Sequence, residues 1–384
     1  MRMQTKYLIP VCVVIISCLL VQGCERDEFQ WGTEVGNITY SGNVIFIGSE
    51  ELGLLKEVTP EQMIFSGTTG EIDNITDGSI LVIGVSEKTP YGLLRKVNGM
   101  QKDGNDIVIL TSDAVLSKTV KEGTITFRRK LLEKDFTLKS KVEGVLVKGP
   151  DKYFDGLAVT LDDFEIYNDG TKRAVLNGAI GISPEINITI NFSLNSIYAI
   201  QIATILNKID EITLSSNGAF SGSREIVAAE FVHSPIIIDS LVFVPEVVIT
   251  CGFDGSVSCE VVSGVRQDRV MTSNMNYLLS KWSEDPLKHS ETIDFITPLV
   301  TDNSDIKIYS GPEIITRLFG IPLQTVKAAG FHSLKAQKAG SPLWQLFAGT
   351  EGYNTINAGI LGLKDGYTTS MEIQASEIAS ANDK

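Results

Sequence analysis

Few residues in this 384-residue chain have the types and spacing that chemistry requires. The three histidines, His233, His289 and His332, are each followed by a serine. Adjacent residues on a strand point to opposite faces, so none of these pairs forms a nucleophile–base contact through sequence adjacency. There is no Gly-x-Ser-x-Gly elbow, no His-Glu-x-x-His pair and no Gly-x-x-x-x-Gly-Lys phosphate loop. Carboxylates gather once, as Asp162, Asp163, Glu165 and Asp169 in "LDDFEIYNDG". Calcium needs six to eight oxygens converging on one point, and an EF-hand loop has a different spacing, so a solvated strand edge explains this group equally well, with a calcium site as the alternative. No catalytic residue, metal or cofactor is assigned. A glycosidase-type carboxylate pair, whose members lie far apart in sequence, is the one enzymatic alternative left open.

Two further groups deserve placing. Of Trp31, Trp282 and Trp344, the last sits among apolar neighbours and reads as core. Trp282, between Lys281 and Ser283, is the candidate ligand-facing aromatic. Cys251 and Cys259 lie in "VVITCGFDGSVSCEVV", which reads as a hairpin around Asp254-Gly255. A three-residue loop sets Cys251 opposite Cys259, whereas a two-residue turn sets Cys251 opposite Ser258. The first register allows a disulfide in an oxidising compartment, and two buried free thiols are the alternative.

The N-terminus explains another cysteine. Arg2 and Lys6 precede a short apolar run, Leu8 to Val21, laid out as a secretory signal peptide and too short for a comfortable membrane span. It ends in Val21-Gln22-Gly23-Cys24, which resembles the lipobox of bacterial lipoproteins. The resemblance implies that residues 1–23 are removed and that Cys24 carries diacylglycerol and a further acyl chain, a palmitate-type anchor. Two or three chains anchor stably where one does not. Glu25-Arg26-Asp27-Glu28 then resembles the start of lipoproteins passed on to the bacterial outer membrane, with exposure at the cell surface as its extension. Residues 24–40 read as the acylated cysteine and its tether. Removing residues 1–23 takes away Arg2 and Lys6 and no acid, so 31 basic residues face 47 acidic ones, a net charge of −16. That balance excludes nucleic acid as a partner.

The elements that must position these residues read as β almost throughout. Turn dipeptides recur at Asp77-Gly78, Asn98-Gly99, Asp103-Gly104, Asp169-Gly170, Asn217-Gly218 and Asp254-Gly255. In "INITINFSL", Ile186, Ile188, Ile190, Phe192 and Leu194 share one face and the polar residues the other, which is the pattern of a half-buried strand. Further strands are read at 79–85, 106–112, 235–251 and 305–311. Tyr198, Ile202, Ile205, Leu206 and Ile209 also fit a helix face, but β-branched residues and flanking strands favour a strand there. The expected architecture is all-β: a small barrel or sandwich over 41–145, then a larger antiparallel meander or sandwich over 146–384 ending in a polar, frayed tail.

The stretch from Asp77 to Val120 resembles a module of large, β-rich bacterial surface proteins through Gly78, Gly92-Leu93-Leu94-Arg95-Lys96-Val97, Gly104-Asn105, Thr111, Ala114 and Leu116. "IKIYSGPEIITRLFGIP" and "SPLWQLFAGTEG" are similar to the same group, through Gly311-Pro312, Leu318, Gly320, Trp344, Leu346, Gly349 and Gly352. The resemblance implies an all-β surface protein and brings no activity. The expected function is a non-catalytic, lipid-anchored protein with a structural or adhesive role, meeting other surface proteins or glycans. A ligand-binding lipoprotein, for a glycan or an apolar molecule, is the alternative, followed by a cell-envelope hydrolase.

Overall fold

The structure, a computed structural model, describes residues 34–148 and 156–381. The protein is all-β, with three sheets and only short helical turns among the described residues. The first nine-stranded sheet runs Glu34–Tyr40, Val120–Lys130, Arg173–Ser193, Ser196–Ser216 and Val261–Leu278. Lys281–Glu284 and Lys288–Val300 both pair with that last strand, and Leu157–Asn168 with Val145–Lys148 continues the sheet beside Arg173–Ser193. The second nine-stranded sheet runs Tyr367–Ser370, Trp344–Ile356, Ile321–Ala336, Ser304–Leu318, Leu241–Val257, Phe220–His233 and Phe136–Lys141, joined by Ile236–Ile238 and Ile373–Ala381. The longest strands have 21 residues, which at about 3.4 Å each span about 70 Å.

These two sheets face one another. Ile186, Ile188, Ile190 and Phe192 are buried between them, as the period of two predicts, and Phe127 of one sheet stacks on Phe243 of the other at 5.7 Å. The segment with the competing helical pattern is strand Ser196–Ser216. The chain does not follow a single meander. It lays strands in one sheet, crosses to the other and returns, so that both faces of the core draw on distant parts of the sequence.

The six-stranded sheet orders Val44–Ile47, Ile80–Ile83, Leu93–Asp103, Asp106–Asp113, Gln62–Phe65 and Leu55–Val58, its first pair being parallel. All of Ile80–Ile83 is buried because both faces are covered. Leu81 and Ile83 enter a separate small core, while Ile80 and Val82 pack against the sandwich. This sheet is inserted between two neighbouring strands of the first large sheet, since Tyr40 pairs with Val120. Residues 120–130 and 136–141 belong to the large sheets. The inserted sheet is held by Tyr91, whose hydroxyl donates to Glu246 Oε1 at 2.7 Å, and by Arg317 Nε, which donates to Glu246 Oε2 at 2.8 Å. Gly92, at φ +63, lies so close to the Ile83 carbonyl, Val242 and Phe319 that a Cβ has no room.

Three expectations are corrected. Glu34–Tyr40 is a paired strand, not tether. The C-terminal stretch is not frayed: Ile373–Ala381 pairs with Trp344–Ile356. Asp254-Gly255 makes no hairpin, because Leu241–Val257 passes straight through it, paired on both sides. The hairpins instead turn at Leu194-Asn195, Asp239-Ser240, Leu279-Ser280 and Phe319-Gly320, all at positive φ.

Candidate functional site

The structure separates most of the residues singled out in the sequence. Cys24 lies outside the described residues. Cys251 is buried in mid-strand opposite Ile226 and Ser310, while Cys259 lies in the link from Val257 to Val261, where the chain crosses between the large sheets. Both are free thiols. The six residue steps from Cys251 to Val257 run extended for about 20 Å, far beyond the reach of a disulfide, so the bonded pairing is corrected. Burial raises the Cys251 thiol and keeps it protonated.

Trp282 is half-buried. It stacks on Tyr367 of the second sheet at 5.7 Å, lies 5.0 Å from Tyr277, and donates its Nε1–H to the Asp365 carbonyl at 3.2 Å. It clips the two sheets together at one edge instead of presenting a free ring.

The carboxylate cluster is occupied by arginine. Arg173 reaches Glu165 at 3.1 Å and Asp163 at 3.5 Å, on the rim of a cleft of about 560 Å³ that Asp162 and Arg224 also line. Asp169 serves its own turn, accepting from the Thr171 and Lys172 amides, and those bonds hold its carboxyl down at about 2. Among the described residues no group of three or more His, Cys, Asp or Glu converges as a metal-ligand set. Of the histidines, His289 is exposed on the strand Lys288–Val300. His233 is buried with its Nδ1 2.6 Å from the Ser234 carbonyl, and burial lowers its pKa.

Titratable groups do converge at one place that the sequence reading missed: the interior of the sandwich. Lys208 and Asp210 of one strand face Arg269 and Gln267 of its neighbour, and all four are buried. They lie on the core-facing parity of their strands, in line with Leu206 and Ile212, and with Val265 and Met271. The second sheet makes room for them with Gly330, where an added Cβ would stand 2.7 Å from both Asp210 Oδ2 and Gln267 Oε1.

Each long donor crosses to a main-chain carbonyl of the opposite sheet. Lys208 Nζ donates to Ser310 O at 2.8 Å, Gln267 Nε2 to Phe331 O at 2.8 Å, and Arg269 NH1 to Gly349 O at 2.6 Å. Two of the three acceptors sit where the ladders are irregular. Ser310 ends a paired run that resumes at Glu313, beyond Pro312, which has no N–H, and Gly349 lies at a register shift. Lys208 also pairs with Asp210, and Arg269 Nε with Glu291 at 2.8 Å. Further along, Gln324 Nε2 donates to Thr204 Oγ1 at 2.9 Å and to Asn354 Oδ1 at 3.1 Å, and Asn354 Nδ2 donates to Ser273 Oγ at 3.1 Å.

Burial lowers the Lys208 ammonium and raises the Asp210 carboxyl, each shift opposed by the other's charge. His332, opposite Ile308 and Ala348, is pushed down to about 4 by burial and is neutral at pH 7. The space among Asp210, Gln267, Ser310 and His332 is about 10 Å³, at the threshold for one water molecule. This closed layer ties the sheets together through those cross-sheet bonds, while Asp210 Oδ1, Gln267 Oε1, Arg269 Nη2 and His332 Nε2 lie buried with no hydrogen-bond partner among the described residues. One signal marked it: Lys208, Asp210, Gln267 and Arg269 break the apolar alternation of two strands on the face that should be dry. No protein-family model matches this chain, and no curated protein or solved structure is significantly similar to it.

Proposed function

We propose that this chain is a lipid-anchored, non-catalytic protein of the bacterial outer membrane with a structural or adhesive role at the cell surface. The observation that carries this reading is the use made of the buried charged groups. Lys208, Gln267 and Arg269, the groups an interior active site would need free, each cross to a carbonyl of the facing sheet. The inserted sheet is likewise clamped through Tyr91, Glu246 and Arg317. Such a body resists shear between its layers, which suits a module that bears or displays a contact surface.

The anchor at Cys24 fits the same reading. Nine residues lie between Cys24 and Glu34, so the first strand starts within about 35 Å of the lipid. Cys24→Ser is expected to move the protein from the membrane fraction to the soluble one and to abolish incorporation of labelled fatty acid. Protease added to intact cells is expected to degrade the β body. A Cys24→Ser protein that still partitions with membranes would overturn the anchor, and full protection from protease would overturn surface display.

A further inference from the structure

The outer face of the first sheet differs from the rest of this acidic chain. Cross-strand pairing sets Thr126, Thr189, Gln201 and Asn276 in one row over four neighbouring strands. The adjacent row continues it with Thr124, Asn191, Ala199 and Leu278. Neither row of four holds a charged residue, in a protein whose net charge is −14, and Arg128 opposite Asn187 and Lys281 opposite Leu278 mark the margins of the grid. Thr124 and Asn191 bond each other at 2.9 Å through the asparagine oxygen. The amides of Gln201, Asn276 and nearby Asn187 have no partner among the described residues. Neighbouring strands lie about 4.8 Å apart and same-face residues repeat about every 6.8 Å, so these groups form a flat grid of donors and acceptors.

An apolar shelf adjoins the grid. Asn191 pairs with Ala199 but Phe192 with Ile197, which leaves Tyr198 as the extra residue of a bulge, 44% exposed. Bulges re-aim side chains in this way. Leu278 and Leu279 beside it are 58% and 74% exposed, and the Leu279 N–H donates to the Tyr198 carbonyl at 3.1 Å. Leu279 has φ +47, a conformation that costs a branched side chain about 1–2 kcal/mol where glycine or asparagine would be free of it. Neither core packing nor turn preference accounts for a leucine held out at that position.

We propose that this face binds an uncharged polysaccharide, with Tyr198 as the stacking ring and Asn187, Gln201 and Asn276 as its hydrogen-bonding groups. The proposal rests on the adhesive reading above and names its contact surface. Charge decides the class of partner. An anionic polymer would find basic residues only at the margins, Arg128 opposite Asn187 and already engaged, and Lys281 opposite Leu278, and would meet the chain's overall negative field. Amides and hydroxyls both donate and accept, which matches sugar hydroxyls that do the same, and a ring beside them covers the apolar C–H face of a sugar.

The test is retention of the purified soluble protein on insoluble polysaccharides, with neutral glucan, xylan, mannan and chitin set against anionic pectate. Retention on at least one neutral polymer is expected, unchanged by 0.5 M NaCl as screening of opposite charges would not allow. Tyr198→Ala and the double variant Gln201→Ala/Asn276→Ala are each expected to weaken it by about tenfold, with the thermal midpoint unchanged. Failure to bind any neutral polymer, or equal binding by both variants, overturns the proposal. So does sedimentation showing a wild-type dimer that these substitutions dissociate, since the face would then belong to a second copy. A protein that binds a neutral polymer but stays soluble with Cys24 intact would leave this face standing and overturn the anchor.

Discussion

Replacing Lys208 by methionine tests the cross-sheet layer most directly. Methionine keeps the length and apolar stem of the side chain and removes the charge. Asp210 then loses its partner in a site from which both residues are almost wholly excluded from water. Breaking one side of a buried ion pair costs about 3–5 kcal/mol, because the remaining charge is neither solvated nor matched. The Ser310 carbonyl also loses the donor it had at 2.8 Å. Lys208→Met/Asp210→Leu removes the stranded charge and leaves chiefly that carbonyl unsatisfied, at about 1–3 kcal/mol. The double variant is therefore expected to be more stable than Lys208→Met alone by about 2 kcal/mol.

The pH dependence adds a second signature. Without Lys208, the upward shift that burial imposes on Asp210 loses its main opposition and is countered only by the smaller effect of the Arg269 charge. The folded single variant then holds a proton that the unfolded chain has released, so its stability falls as pH rises above the ordinary aspartate range. Its deficit against wild type should be larger at pH 8 than at pH 5. Urea unfolding followed by far-ultraviolet circular dichroism measures both effects. A Lys208→Met protein within 1 kcal/mol of wild type, or a double variant no better than the single one, would refute the reasoning.

Three other outcomes are expected. His332 titrates near 4 when folded and near 6.5 when unfolded, so between those values the unfolded chain binds the extra proton and stability falls on acidification by about 3 kcal/mol. His332→Leu should remove that share of the acid loss, read as the difference between urea midpoints at pH 7 and pH 4.5. Denatured, unreduced mature protein should titrate two thiols, and the folded protein should keep Cys251 unreactive while Cys259 reacts; a count of zero would restore the disulfide. Tyr91→Phe should loosen the inserted sheet by about 1–2 kcal/mol, seen as faster limited proteolysis of the segment before Gly92, with the sandwich intact.

Much of the architecture was legible in local pattern. The alternation of Ile186, Ile188, Ile190 and Phe192 names both the strand and its buried face, because successive side chains on a strand must point to opposite sides. Glycine dipeptides marked real connections where the chain had to turn, as at Asp169-Gly170 and Asn217-Gly218. They misled at Asp254-Gly255, where Gly255 holds φ +124 inside a strand because the Asp305 carbonyl of the next strand leaves no room for a Cβ. The turns at Leu194-Asn195 and Leu279-Ser280 were illegible, since leucine at positive φ has no local preference to announce it.

The disulfide failed for a related reason. A hairpin places Cys251 and Cys259 opposite each other only if the chain reverses between them, and pairing with residues 220–233 and 304–318 carries the strand past that point. By itself, then, the sequence determined an acidic all-β protein with a lipobox-like start and strands of known facing, all consequences of composition and short-range periodicity. The tertiary structure alone decided that Lys208, Gln267 and Arg269 meet the carbonyls of Ser310, Phe331 and Gly349, with Asp210 beside them. The bonds that join them span 64 to 102 residues, and contact at that separation follows from which sheet each strand joins, which no local pattern encodes.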